Sequence, residues 1–217
     1  MSDYTGQITT PAQPNLGNPG EVYDRLYFSQ TFSNIGNYAT RITNALGALF
    51  GPRGGKYLNV PYGAFQDSTD QVAANTTTAY AITFDTTDFS NGVTLSNSSR
   101  LNVSQSGIYN VQFTIQFKNT TNDTQDVDLW FRKNGTNIDN SNSRFGLGPR
   151  KSSGDPAHMI GALNFFVSLA ANDYVQIMWR PSDVGVSIEH FAASSTPTRP
   201  AVPSAIGTLS FVSNLSV

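Results

Sequence analysis

Cysteine is absent from this chain of 217 residues. That excludes disulfides, thiolate nucleophiles, iron–sulfur clusters and cysteine-based zinc sites. Charge is scarce: Asp, Glu, Lys and Arg make up 13% of the residues, against roughly 25% in an average soluble domain. The net charge is −2 and no basic stripe exists to neutralise phosphates, so nucleic acid is not an expected partner. Two histidines (His158, His190) and two glutamates (Glu21, Glu189) leave a thin inventory for acid–base chemistry. No run approaches the ~20 apolar residues of a membrane helix, and no membrane insertion is expected. The start, Met1-Ser2-Asp3-Tyr4, lacks the basic and apolar regions of a secretory signal, and the absence of cysteine staples points to assembly in a cytoplasm.

Asn, Thr, Ser and Gly take the place of the missing charge. Hydrophobic residues still reach 38% and aromatics 12%, enough for a real core. Residues 1–20 are rich in Gly, Pro, Thr, Gln and Asn. Such a segment cannot fold alone but can order along a partner, so it reads as an extended anchoring arm.

Residues 21–50 change character. Asn18, Pro19 and Glu21 form a helix start resembling a capping box. Phe28, Phe32, Ile35, Ala39, Ile42, Leu46 and Leu49 then follow in steps of four and three, a heptad seam. Leu46 at an a position, with Ile35 and Ile42 at d, favours three or four strands over two. A helix over 28–49 would be roughly 33 Å long. Gly36, Gly47 and the β-branched residues make a single copy marginal in water, so a trimerisation stem is expected. One amphipathic helix packed on its own domain is the alternative. Gly51-Pro52-Arg53-Gly54-Gly55-Lys56 ends the helix as a hinge over 51–56.

Residues 57–217 read as strands. Tyr109, Val111, Phe113, Ile115 and Phe117 alternate with Asn110, Gln112, Thr114 and Gln116, so one face is buried and one is wet. Val127, Leu129 and Phe131 repeat the pattern before Asn134-Gly135, a type I′ hairpin signal. Later strands centre on Leu163–Val167, Val175–Trp179, Val186–Ile188 and Leu209–Phe211. Earlier ones are expected at Tyr62–Gln66, Ala79–Phe84, Gly92–Leu95 and Arg100–Val103. About ten short strands indicate an all-β sandwich or jelly roll.

Few residues suggest chemistry. Gly146-Leu147-Gly148-Pro149-Arg150-Lys151-Ser152-Ser153 lacks the phosphate-loop spacing and reads as an inter-strand loop. Asp126 and Asp128 share a strand face and are the calcium candidates; the plain alternative is a wet face. No other cofactor is indicated, and neither histidine has a triad or metal partner pattern. Trp179 is in phase with Val175 and Ile177, hence core. Trp130 is out of phase with Val127, Leu129 and Phe131, so it faces away from the core. Trp130 and Arg199 are the candidates for surface contact.

Leu101…Gly107-Ile108-Tyr109-Asn110-Val111-Gln112-Phe113 is similar to the signature of the complement component 1q globular head, with Leu101, Gly107, Tyr109 and Phe113 on the signature positions. Val111 replaces an aromatic there, Thr94 falls where another is expected, and Asn172 replaces Gly in Leu169-Ala170-Ala171-Asn172-Asp173-Tyr174-Val175. Tyr62–Thr69, Asp126–Gly135 and Pro197–Ala201 resemble segments of such heads in structural proteins of tailed phages that infect cyanobacteria. The resemblance implies a ten-stranded jelly roll of the complement-head and tumour-necrosis-factor type, assembled as a threefold trimer and tied to the particle through its N-terminus. The expected function is therefore a non-enzymatic virion fibre or decoration protein. Residues 1–20 would dock to the capsid or tail, and the head would bind a host-surface glycan or protein or clamp the shell. A secreted trimeric ligand like tumour necrosis factor and a jelly-roll enzyme acting on glycans are the alternatives. The second needs two facing carboxylates, and no such pair is nominated by the sequence.

Overall fold

A computed structural model of the chain describes residues 25–50 and 60–214; within the helix, side chains are described for residues 30–47. The expected arm (1–20), the helix start at Asn18–Glu21 and the hinge (51–56) lie outside the described residues. The chain divides into two units, one ending at Val60 and the other beginning at Pro61.

The first unit contains helix α1 (Arg25–Phe50), 26 residues long, which includes the expected span 28–49. Two of its threonines are accommodated locally. The hydroxyls of Thr40 and Thr43 donate to the carbonyls of Gly36 and Ala39, each at 2.9 Å, so neither competes with the helix for a backbone donor.

The second unit is β structure: β1 (Tyr62–Asp67), β2 (Gln71–Val72), β3 (Tyr80–Ala81), β4 (Thr86–Asn91), β5 (Val93–Ser96), β6 (Arg100–Val103), β7 (Gly107–Asn119), β8 (Gln125–Lys133), β9 (Thr136–Asn137), β10 (Ser143–Leu147), β11 (Ala157–Leu169), β12 (Tyr174–Pro181), β13 (Val186–Ile188), β14 (Ser194–Ser195), β15 (Thr198–Arg199) and β16 (Ala205–Ser213). They form two antiparallel sheets packed as a sandwich, plus the small β14–β15 pair.

In the first sheet, β7 pairs with β11 along its whole length, from Gly107↔Leu169 to Asn119↔Ala157. Its other edge is shared end to end by β16 and β13. Beyond them lie β1 with β4, and β2. In the second sheet β8 and β12 are central. β10 and β9 flank β8, β6 and β3 flank β12, and β5 lies outside β6.

The alternation read along β7 is the burial observed. Tyr109, Val111, Phe113, Ile115 and Phe117 are buried against Val127, Leu129 and Phe131 of β8 and Val175, Ile177 and Trp179 of β12. Phe131 of the second sheet stacks on Phe165 of the first at 4.9 Å and 18°. Each such side chain contributes about 1.5–3 kcal/mol through burial.

The residues resembling the family signature all serve this core. Leu101, Tyr109 and Phe113 are buried. The Tyr109 hydroxyl donates to the carbonyl of Gln105 at 2.7 Å; burial pushes its pKa up to about 12 despite that bond. Gly107 has no room for a side chain: a Cβ there would sit 2.4 Å from Phe211 Cε2 and 2.7 Å from the carbonyl of Ser213. Asn172, standing where the family pattern has Gly, adopts φ +71°, a left-handed conformation that Asn tolerates better than most residues.

One carboxylate ties that corner to the β8–β9 hairpin. Asp173 accepts from Asn134 Nδ2 at 2.6 Å and from the Ala170 amide at 2.7 Å, and pairs with Lys133 at 2.9 Å. Asn134 Oδ1 accepts the Tyr174 amide at 3.0 Å. Burial works against ionisation of Asp173, but the Asn134, Ala170 and Lys133 donors outweigh it and hold its pKa below the ordinary 3.8.

The strand assignment needs correction in three places. The strand expected over Ala79–Phe84 is confined to Tyr80–Ala81. Ile82 and Phe84 are still buried, but the chain here crosses from the second sheet to the first. The backbone of Thr83 is held by a side chain instead: Thr83 N donates to Gln71 Oε1 at 2.9 Å, and Gln71 Nε2 donates to the Thr83 carbonyl at 3.1 Å. β4 was not anticipated, because an edge strand exposed along most of its length shows no alternation. β10 was also missed. Its Gly146-Leu147 reads as the beginning of a glycine-rich loop, whereas Phe145 and Leu147 pack into the core.

Gly107→Ala should destabilise the domain by about 1–3 kcal/mol, the usual cost of overpacking, measured by urea unfolding. A second expectation concerns acid. Asp173 is depressed in the folded state, so its stabilisation is complete above 3.8 and is lost as pH falls through its lower folded value. Asp173→Asn should lower the midpoint at pH 7 and flatten its decline below pH 4. An acid limb identical to that of the parent would refute this role.

Candidate functional site

Three surfaces stand out, each placed by a period read in the sequence. The first is the seam of α1. Phe32, Ile35 and Leu46 are 70%, 58% and 49% exposed, Ala39 is exposed and Ile42 is half-buried. Phe28 and Leu49 lie on the helix, but their side chains fall outside the described residues. A stripe this apolar is costly to leave in water.

The second is the outward face of the first sheet. In cross-strand register, Asn110 lies between Phe166 and Ser210, Gln112 between Asn164 and Thr208, and Thr114 between Ala162 and Ile206; Gln116 pairs with Ile160. Across β11, β7 and β16, from Ile108 to Gln116, these rows carry no charge; the edge strand β4 adds Asp88, which accepts from Gln66 Nε2 at 2.9 Å. Ile160, Phe166 and Val212 are exposed on this face, around a depression of about 400 Å³. Along β7 and β11 charge begins at one end, where Lys118 and His158 both bind Glu189, at 2.6 and 2.8 Å. Asn110 Oδ1 is, among the described residues, the one buried side-chain polar atom with no hydrogen-bond partner. An unmet acceptor of this kind costs about 1–3 kcal/mol, and a covering chain with a donor would remove that cost.

The third is the outward face of the second sheet, and it is charged. Asp128 of β8 lies in register between Arg144 of β10 and Arg180 of β12. Its Oδ1 accepts from Arg144 Nε at 2.9 Å, and its Oδ2 from Arg180 Nη1 at 3.2 Å. Further along, the Arg100 guanidinium lies 4.6 Å over the Tyr174 ring. Trp130 is on this face, as its phase required, paired across to Met178. It is half-buried and lines a depression of about 370 Å³, closed on one side by Asp128 and Arg180 and on the other by the 137–142 loop.

Of the calcium candidates, Asp126 lies in register opposite Gly146 of β10. Asp128 turns its oxygens to two guanidinium groups. No group of three acidic, histidine or cysteine side chains that could hold a metal ion occurs among the described residues. Arg199 sits apart on β15, exposed, its Nη1 reaching the Ala192 carbonyl at 3.5 Å. It does not join Trp130 in one site. Arg144 and Arg180 are not recognisable from sequence as partners of Asp128, because that triad exists only through the register of three strands. His158 and His190 are also separated in role: His158 binds Glu189, while the His190 amide donates to Asp70 at 2.7 Å.

No protein-family model matches the chain, and no similar curated protein is found.

Because guanidinium groups occupy Asp128, millimolar calcium and EDTA should give the same Tm; a calcium-dependent rise would contradict the assignment. Asp128→Ala should cost about 1–3 kcal/mol, by leaving two guanidinium groups without their shared carboxylate. Arg144→Ala should lower the urea midpoint less than Asp128→Ala does, since its side chain is 63% exposed.

Proposed function

We propose that the chain is a non-enzymatic structural protein of a phage virion, a homotrimeric fibre or decoration protein. In this reading residues 1–20 attach to the capsid or tail, residues 21–50 trimerise, and the β domain projects for host-surface adhesion or clamps the shell. The observation that carries it is the exposed heptad seam: three large apolar side chains at 49% to 70% exposure on one helix. A threefold bundle removes them from water, and the Leu and Ile placement selects against two strands.

The β domain supports the same reading. Taking its eight principal strands in chain order, the first sheet runs first, eighth, third and sixth (β1, β16, β7, β11) and the second runs second, seventh, fourth and fifth (β6, β12, β8, β10). That interleaving is a jelly roll, the fold implied by the resemblance to complement-type heads. The largely uncharged face of the first sheet is suited to contact between heads, and the charged face of the second to solvent. Assembly in the host cytoplasm and a place in the virion follow from the same reading.

The two alternatives receive less support. A ligand of the tumour-necrosis-factor type shares the head but gives the helix seam no task. A glycan hydrolase needs two carboxylates flanking a bond. Asp128 and Asp139 line one depression, yet both oxygens of Asp128 already accept from arginine.

Sedimentation equilibrium should give about three times 23.5 kDa. Phe32→Glu with Ile35→Glu should shift the mass toward the single chain while the β domain keeps its circular dichroism. Phe166→Glu should weaken the assembly less. A parent protein that sediments as one chain would remove the trimeric reading.

A further inference from the structure

We propose that the depression around Trp130 binds a neutral sugar, one or two hexopyranose units of a hydroxyl-rich polysaccharide. The inference rests on the adhesion role given to the β domain and names its ligand class; it does not depend on how many copies assemble.

The ring comes first. Trp130 is half-buried beside Met178 on a face made mostly of charged and polar groups, and its Nε1–H donates to Asn137 Oδ1 at 2.9 Å. Arg132 Nε donates to the same oxygen at 3.1 Å. The indole is thus pinned with its one polar group already satisfied, and what it offers a ligand is its apolar surface. The C–H face of a pyranose is the complement of such a surface, and the sugar hydroxyls then point to the rim.

The rim supplies the polar contacts. Asp139, Asn140 and Asn142 are exposed around the depression, and among the described residues their side chains hydrogen-bond to nothing in the chain. One carboxylate and two amides provide acceptors and donors in the mixture that vicinal hydroxyls need.

Their loop is built rather than slack. Buried Ser141 accepts the Phe131 amide at 3.1 Å and donates to the Ile138 carbonyl at 2.7 Å. The Ile138 amide returns to the Phe131 carbonyl at 2.9 Å. Binding would therefore order little that is not already fixed.

Charge selects the class of sugar. The charged groups lining the depression are Asp128, Asp139 and Arg180. Arg180 is committed to Asp128 and to the Thr76 carbonyl, at 3.2 and 2.6 Å. Asp139 is the one charged group of the lining without an ion-pair partner, and with the Arg132 guanidinium held back on Asn137 Oδ1 it disfavours uronates and other anionic sugars. The volume, about 370 Å³, lies near the lower end of the roughly 300–1,000 Å³ typical of small-molecule sites.

The intact chain would be titrated with maltohexaose, cellohexaose and mannohexaose, and with polygalacturonate as the anionic probe. Calorimetry and tryptophan emission report binding. Trp179 is only 1% exposed, so an emission change belongs to Trp130. At least one neutral hexaose should bind saturably and polygalacturonate should not. Trp130→Ala should weaken binding by about tenfold or more and Trp130→Phe by much less, the ring surface being kept. Asp139→Asn should relax the exclusion of polygalacturonate. No heat and no emission change with all three neutral hexaoses would overturn the proposal, as would equal binding by Trp130→Ala. Sedimentation of the same samples separates the two readings: a trimer that binds no sugar refutes only this one, and a single chain that binds refutes only the trimer.

Discussion

Strand β7 hydrogen-bonds along its full thirteen residues to β11 on one edge, and to β16 and β13 on the other. Its odd-numbered side chains fill the core, and its even-numbered ones form the middle row of the largely uncharged face. A slip of one residue would exchange the two rows and put Asn, Gln and Thr where Phe113 and Phe117 now pack. The cross-strand partners would move with it. The surfaces of the first sheet are therefore consequences of one register, and that register is fixed by the burial of five side chains against the opposite sheet.

The two outward faces then differ in kind. On one, the rows of β11, β7 and β16 set Asn, Gln, Thr, Ala, Ile and Phe side by side with no ion among them until Lys118, and one amide oxygen is left unmet. On the other, a carboxylate is shared by two guanidinium groups and an arginine covers a tyrosine ring. Solvent suits the second face and another protein surface suits the first. A sandwich that assembles with copies of itself can use this division, keeping one sheet for the assembly and one for whatever it meets outside.

Period was the legible part of the sequence. Alternation located β7, β8 and β12, and the heptad located α1, because each pattern reflects burial on one side only. The same reasoning put Trp179 in the core and Trp130 outside it. It failed where burial leaves no period. Thr86–Asn91 is an edge exposed on both sides, and the backbone of Thr83 is held by a glutamine side chain twelve residues away. The depression beside Trp130 was beyond reach for another reason: its walls come from β8, β12 and a loop held back by Ser141. Sequence phase gives the direction of a side chain but not the neighbours that long-range pairing brings to it.

The corners of this domain favour asparagine. Asn97, Asn134, Asn140 and Asn172 all hold positive φ, where β-branched residues are strained and Gly is at ease. Substitution at these points is thus channelled: a drifting lineage can exchange Asn for Gly at little cost, while Val or Ile would open the corner. Descendants of such a chain could lose nearly every other visible likeness and still keep a short alphabet at their turns.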